Sequence, residues 1–331
     1  MEQFNSNTSA KTTAVEAQHH RNSLRLARRI VIKVGTPAIT HCDGNLALAR
    51  IGSLVEQIAR LRQEGRDVMI VTSGAISTGA LRIRKAMALK TSLADAIHQR
   101  QDPFQVDDSA AAAVGQALLM NMYETLFAKY NLSCAQVLIT EDDINAPETM
   151  AQVTDTTMEL MQLGTVPIVN DNDAVTQRTT AVYNEQTGEV IWDNDVLASR
   201  LAAAVRADLL IMLTDLDALY AAPSTGGDEF TEPVRLAVFN PEAKLVRSGI
   251  NSGLLMLSDN GRGSFAGRTR MAADGMQSLV DASVAATANG VRAAVVTTGH
   301  HPLSILHIVR GDDIGTLFIA QGANPPTASK L

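Results

Sequence analysis

The chain has 331 residues, 46% of them hydrophobic, and 35 acidic against 28 basic side chains give a net charge of −7. A chain of that length and apolarity can bury a large core, and with no Pro- or Ser-rich linker in the middle one α/β domain is favoured over two. The acidic balance argues against non-specific nucleic-acid binding, two cysteines argue against a disulfide framework, and no run is long and apolar enough to span a bilayer.

Residues 1 to 28 are polar and aperiodic, and are expected to form a disordered N-terminal extension. From Ile30 the chain alternates strand and helix. IVIKV is an apolar run broken only by Lys33, and a lysine inside such a strand should pair with a carboxylate or reach a phosphate at the strand's end. A turn at Gly35 follows, and then Ile51, Leu54, Val55, Ile58 and Leu61 mark one face of a helix that Gly65 ends. VMIV is the next strand. It runs into TSGA, where Ser73 and Gly74 form a strand-to-helix turn small enough for backbone N–H groups to approach an anion.

Residues 86 to 108 lose periodicity and read as a surface loop or lid, after which AAAAVGQALLMNMYETLFAKY reads as a helix and AQVLIT as a strand. The following strand, VPIV, empties into Asn170, Asp171, Asn172 and Asp173. Some twenty residues on, Asp193, Asn194 and Asp195 open the helix-like run VLASRLAAAV, where such side chains cap free N–H groups. Seven acceptor-rich side chains at one sheet edge suit a ligand that offers an ammonium group and a metal-bound phosphate. Thr214 and Asp215, after the strand LLIML, make a third turn of the same kind. AAVVTTG, the stretch from Ile305 to Val309, and TLFIA read as closing strands. The alternation implies a single αβα sandwich around a largely parallel sheet, over residues 29 to 321. A flexible tail from 322 to 331 closes in Ser329, Lys330 and Leu331, the tripeptide SKL that a peroxisomal import receptor recognises. A peroxisome or glycosome-like organelle is therefore the expected location, with the cytoplasm as the alternative.

No GxxxxGK[ST], HRD or DFG sequence occurs, which argues against P-loop and protein-kinase chemistry. The histidines lack zinc spacing, and no protein metal-ligand set is expected.

The blocks VIKVGT, VTSGA, AAVGQ, VPIVNDNDAV, WDNDVLASRLAA, LTDLDALY, GM at Gly275 and Met276, and GTLF together resemble the amino acid kinase family, in its glutamate-phosphorylating branch, over about residues 29 to 320. The resemblance implies ATP-dependent phosphorylation of the glutamate γ-carboxylate to glutamyl 5-phosphate, the first step of proline biosynthesis. ATP with Mg2+ would be the cofactor, proline a feedback inhibitor and a homo-oligomer the expected assembly. It implies Lys33 and Asp195 as catalytic residues, Ser73, Asn170, Asp173, Asp193 and Asn194 as glutamate contacts, and Lys33, Thr214, Asp215, Gly275 and Met276 as ATP contacts. A carboxylate nucleophile needs no general base, so positioning and charge neutralisation are the protein's task.

Two departures stand out. Pro37 replaces a hydroxyl residue after the first strand. The family's second catalytic lysine aligns with Leu279, leaving Arg262, Arg268 or Arg270 as candidate substitutes for its charge. A catalytically impaired member that binds glutamate, proline or nucleotide as a regulatory subunit is the alternative reading.

Overall fold

The computed structural model describes residues 17–89, 106–176, 182–183, 190–221, 233–239, 245–249, 252–256 and 270–320. The strands in chain order are β1 Arg29–Val34, β2 Asp67–Thr72, β3 Cys134–Ile139, β4 Val166–Asp171, β5 Val182–Tyr183, β6 Val190–Trp192, β7 Leu209–Thr214, β8 Tyr220–Ala221, β9 Val234–Arg235, β10 Leu245–Gly249, β11 Ser252–Met256, β12 Ala293–Thr298 and β13 Thr316–Ile319. Seven of them form the central sheet, in the order β13-β12-β7-β1-β2-β4-β3. Every pairing in it is parallel except that of β13 with β12. A four-stranded sheet, β11-β10-β8-β9, and the β5–β6 pair lie apart from it.

The helices are α1 Thr36–Ile39, α2 Leu48–Gln63, α3 Ala75–Ala88, α4 Asp108–Ala128, α5 Glu141–Asn145, α6 Pro147–Gln162, α7 Asn194–Ala204, α8 Arg270–Ala288 and α9 Ser304–Val309. Strand alternation divides the core in two. Ile30, Ile32, Val68, Ile70, Leu209, Ile211 and Val295 face α2, α4 and α9, whereas Val31, Met69, Val71, Leu210, Met212 and Val296 face α7 and α8. Both faces are buried, which is why these strands are continuous apolar runs and not alternating ones.

Lys33 is two residues from Val31 and so shares the α7 side of β1, while Ile32 and Val34 face α2. The Ser73–Gly74 turn joins β2 to α3, and Gly74 holds φ +94°, a conformation that costs a residue with a Cβ. The α3–α4 crossing brings two helix backbones into direct contact. A Cβ built on Gly79 would lie 1.8 Å from the Ala111 carbonyl oxygen, and one on Gly115 would lie 1.7 Å from that of Ala75. The glycine of AAVGQ is therefore a packing requirement.

Two expectations are overturned. Residues 17–28 are ordered: residues 17–23 are helical, Leu24 and Ala27 join the core, and Arg21 is buried. Its guanidinium donates to the carbonyls of Asp312, Ile314, Ala237 and Gly315 and pairs with Asp313. The polarity that suggested disorder is spent on backbone acceptors at the far end of the chain. The stretch from Ile305 to Val309 is helix α9, burying Ile305, Leu306, Ile308 and Val309 at helical spacing. Gln57 of α2 accepts from the N–H groups of Ile305 and Leu306 and so caps that helix. Residues 1–16, most of the loop expected over 86–108, Arg262, Arg268 and the tail with SKL lie outside the described residues.

The Gly115→Ala variant should lose about 2 kcal/mol to overpacking at the crossing, lowering the thermal midpoint by roughly 5 °C. Gly52→Ala, in α2 where a Cβ would meet nothing within 4 Å, should leave the midpoint unchanged or raised. Equal midpoints for Gly115→Ala and the unaltered chain would contradict the close approach.

Candidate active site

Strand order sets the location. From β1 the sheet grows through β2 and β4 on one side and through β7 and β12 on the other, so the crevice beyond the carboxyl ends of β1 and β7 is a topological switch point. Lys33 and Gly35 stand at the end of β1, Ser73 after β2, Asn170 and Asp171 at the end of β4, and Thr214 at the end of β7.

Lys33 and Asp195 are both buried, with Nζ 2.5 Å from the carboxylate Oδ1. Asp195 lies in the first turn of α7, which crosses the sheet face to which Lys33 points. Burial pushes the Asp195 carboxyl above the ordinary carboxylate range, opposed by the charge of Lys33. Removing either partner would strand a buried charge, at a cost of about 3–5 kcal/mol. Beside this pair the backbone passes close by, at a residue without a side chain. The Gly35 N–H donates to the Leu213 carbonyl at 2.9 Å, and a Cβ on Gly35 would sit 3.0 Å from that oxygen and 3.5 Å from Lys33 Nζ. The glycine leaves room for a phosphate against the lysine. Pro37 occupies the first turn of α1, where its missing N–H has no intrahelical acceptor to lose.

Asp193 is the N-cap of α7. Its Oδ1 accepts from the N–H groups of Asp195 and Val196 at 2.8 and 2.9 Å, and its Oδ2 accepts from the Ser278 hydroxyl of α8 at 2.5 Å. Next to it a row of amides runs across three elements. Asn194 Nδ2 donates to Ser73 Oγ at 3.1 Å and to Asn170 Oδ1 at 3.2 Å, and Asn170 Nδ2 donates to Gln116 Oε1 at 3.0 Å. Asn194 Oδ1 is buried with no hydrogen-bond partner among the described residues. Asp173, in the turn after β4, is half-buried. Its carboxyl is pushed up to about 7, first by burial and then by the charges of Asp171 and Asp108.

Thr214 and Asp215 are side by side, the threonine hydroxyl donating to the carboxylate at 3.1 Å, and the Gly299 N–H donates to the Thr214 carbonyl. The LTDLDALY turn is pinned from beneath: Leu219 N–H donates to Thr316 Oγ1, Thr316 Oγ1 to the Leu236 carbonyl, and Thr297 Oγ1 to the Asp217 carbonyl. Thr316 belongs to GTLF, so that block secures the turn without reaching the crevice. Gly275 and Met276 lie on α8. The Met276 side chain is buried in the core with Leu279 and Val280, so it is not displayed as a side-chain contact for a ligand. Leu279 is 3% exposed in the same apolar cluster. Arg270 begins α8, well before it.

The structure thus brings together Lys33, Ser73, Asn170, Asp193, Asn194 and Asp195 in one contact chain. Asp173 stands in the turn beyond β4, and Thr214 with Asp215 at the neighbouring strand end. Sequence reasoning did not single out Gln116 and Ser278. Gln116 was present in AAVGQ, where only its adjacency to the crossing glycine could have marked it. Ser278 sits on α8, eighty-five residues from the aspartate it binds, and carries no local signal.

Residues 28–298 match the amino acid kinase family model. Glutamate 5-kinase of Symbiobacterium thermophilum is 37% identical over 91% of this chain and the whole of its own length, and that of Enterococcus faecalis is 36% identical over 91% and 98%. The Δ1-pyrroline-5-carboxylate synthase of Mesembryanthemum crystallinum is 37% identical, and the chain spans 37% of its length. Among solved structures, the isopentenyl phosphate kinase of T. acidophilum aligns with a TM-score of 0.50 and 15% identity, over 88% of this chain and 99% of that one, a likeness of fold. With a sheet of this order, a match over residues 28–298 and relatives covered end to end, the chain belongs to the amino acid kinase family.

Proposed function

We propose that the chain transfers the γ-phosphoryl group of ATP to the γ-carboxylate of glutamate, giving glutamyl 5-phosphate. The observation that carries this reading is the buried Lys33–Asp195 pair standing beside the Ser73–Asn194–Asn170 amide row, at the ends of adjacent strands. A cation beside a glycine suits a transferring phosphoryl group, and a row of uncharged donors and acceptors suits an amino acid. The reading is supported by end-to-end similarity to bacterial proteins named glutamate 5-kinase. It places the chain at the first committed step of proline biosynthesis.

The carboxylate attacks the γ-phosphorus in line, and no proton needs removal. Lys33 neutralises charge on the phosphoryl oxygens, and Asp195 holds its ammonium in place. Ser73, Asn170, Asn194, Asp193 and Asp173 hold glutamate, the free acceptor of Asn194 suiting an ammonium donor. Thr214 and Asp215 mark the nucleotide side. Mg2+ would enter with the phosphates and offset their charge. Proline, a cyclised glutamate in outline, would compete for the amide row, and a homo-oligomer is the proposed assembly. With Leu279 buried among apolar side chains, Lys33 is the cation of the site among the described side chains, and Arg262, Arg268 or Arg270 would have to supply a second.

Purified protein should therefore form hydroxamate from glutamate, ATP, Mg2+ and hydroxylamine. Lys33→Met and Asp195→Asn should each lower that rate about a thousandfold or more. Loss of no more than a few-fold in both variants would remove the pair from the mechanism, and nucleotide binding without hydroxamate would favour the regulatory reading.

Asp173 gives a pH test. A carboxyl at about 7 is neutral below that pH and charged above it, and only the charged form attracts the substrate ammonium. The KM for glutamate should fall as pH rises from about 5.5 to 7, by up to about tenfold per unit, and Asp173→Asn should flatten the profile. In the free protein the sign reverses. A folded-state value raised above the unfolded one means stability is greatest at low pH and is lost between the unfolded carboxylate range and about 7. A KM independent of pH in the unaltered protein would rule Asp173 out as the ammonium's partner.

As a separate proposal, SKL acts as an address for peroxisomal import. A fluorescent protein fused ahead of the chain should collect in peroxisome-type bodies and disperse when Leu331 is deleted, and bodies that persist after the deletion would contradict it.

A further inference from the structure

The amide row has a direction, and a single backbone group sets it. The Asp171 N–H donates to Asn170 Oδ1 at 3.0 Å. A backbone N–H can only donate, so the oxygen of Asn170 must face it and the amide nitrogen must point the other way. That nitrogen meets Gln116, which must answer with its oxygen, as it does. On the other side, Asn170 Oδ1 can receive Asn194 only through the Asn194 nitrogen. The same nitrogen then donates to Ser73 Oγ, which leaves the Ser73 hydroxyl proton free for a ligand acceptor, and leaves Asn194 Oδ1 free for a ligand donor. Four side chains from α4, β4, α7 and the turn after β2 thus hold one orientation.

Gln116 is the far end of this row. It is 8% exposed, its Nε2 is buried without a hydrogen-bond partner among the described residues, and it follows the glycine that brings α4 against α3. We propose that Gln116 is a positioning residue for the amino-acid substrate: its oxygen holds the Asn170 amide in the orientation that makes Ser73 a donor and Asn194 an acceptor toward glutamate. Gln116 itself stands two hydrogen bonds away from Asn194 and three from Ser73, and acts only through them. Without its oxygen, the buried Asn170 Nδ2 has no partner, and the alternative Asn170 orientation would present an amide nitrogen to the Asp171 N–H. The inference rests on the glutamate-kinase reading of the site.

The test is a double-mutant cycle on glutamate KM. Gln116→Met keeps length and removes both polar atoms, and should raise the KM for glutamate about tenfold while leaving the KM for ATP within twofold. In a Ser73→Ala background the same substitution should cost less than about threefold, because the donor it orients is already gone. Gln116→Glu, which keeps an oxygen toward Asn170, should stay nearer to the unaltered KM than Gln116→Met does, and it serves if Gln116→Met does not fold. Equal fold-changes for Gln116→Met in both backgrounds, a parallel rise in both KM values, or a Gln116→Glu variant as impaired as Gln116→Met would overturn the positioning role alone. Absence of glutamate turnover in the unaltered protein would overturn the function beneath it as well.

Discussion

A lysine cannot stay charged inside a parallel sheet without a countercharge, and that constraint organises this molecule. Lys33 lies on β1, on the face that α7 covers, and Asp195 is brought to it by the first turn of α7. The helix must therefore begin at a fixed height above the sheet. Asp193 sets that height by capping the Asp195 and Val196 N–H groups, and Ser278 ties the cap to α8. The desolvation cost of the pair is offset by this geometry, and its benefit is a cation held rigidly beside Gly35, where no side chain intervenes. Positioning of that kind is what a phosphoryl transfer to a carboxylate asks of a protein.

The second constraint is the close approach of α3 and α4. Gly79 and Gly115 let the two backbones touch, and the residue after Gly115 is the glutamine that meets Asn170. Packing and recognition are thus joined in one short stretch. A wider crossing would carry Gln116 away from β4, so an apparently structural glycine also fixes the distance across which the amide row operates. On the opposite side the same economy appears at GTLF, where Thr316 receives the Leu219 N–H and steadies the turn after β7.

Much of this was legible from the chain because the site is built at strand ends, where sequence places apolar runs directly before polar clusters. IVIKV, VMIV, VPIV and LLIML announce their strands by continuous apolarity, and Lys33 announces itself by interrupting one. The Asp193 cap and the partnership of Lys33 with an acid followed from the same local logic. Three features were not legible, for different reasons. Gln116 looks like one polar residue on an alanine-rich helix, and its partner is fifty-four residues away. Ile305–Val309 is a short apolar run, and such runs do not declare a period; the Gln57 side chain of α2, which accepts from its first N–H groups, is a partner the run itself does not reveal. Arg21 and its neighbours look like a soluble extension because their acceptors are backbone carbonyls, which composition does not reveal. Leu279 is a residue whose aligned role and actual surroundings differ: its side chain belongs to the apolar cluster with Met276 and Val280.

The central claim is that the strand-end cluster is one site, with an amino acid on the amide row and a phosphoryl group at Lys33. A crystal structure with glutamate, Mg2+ and a non-hydrolysable ATP analogue tests it directly. The account predicts glutamate within hydrogen-bond distance of Ser73 Oγ and Asn194, its γ-carboxylate facing the terminal phosphate, and that phosphate in contact with Lys33 Nζ beside Gly35. Glutamate bound elsewhere, or a terminal phosphate remote from Lys33, would contradict it.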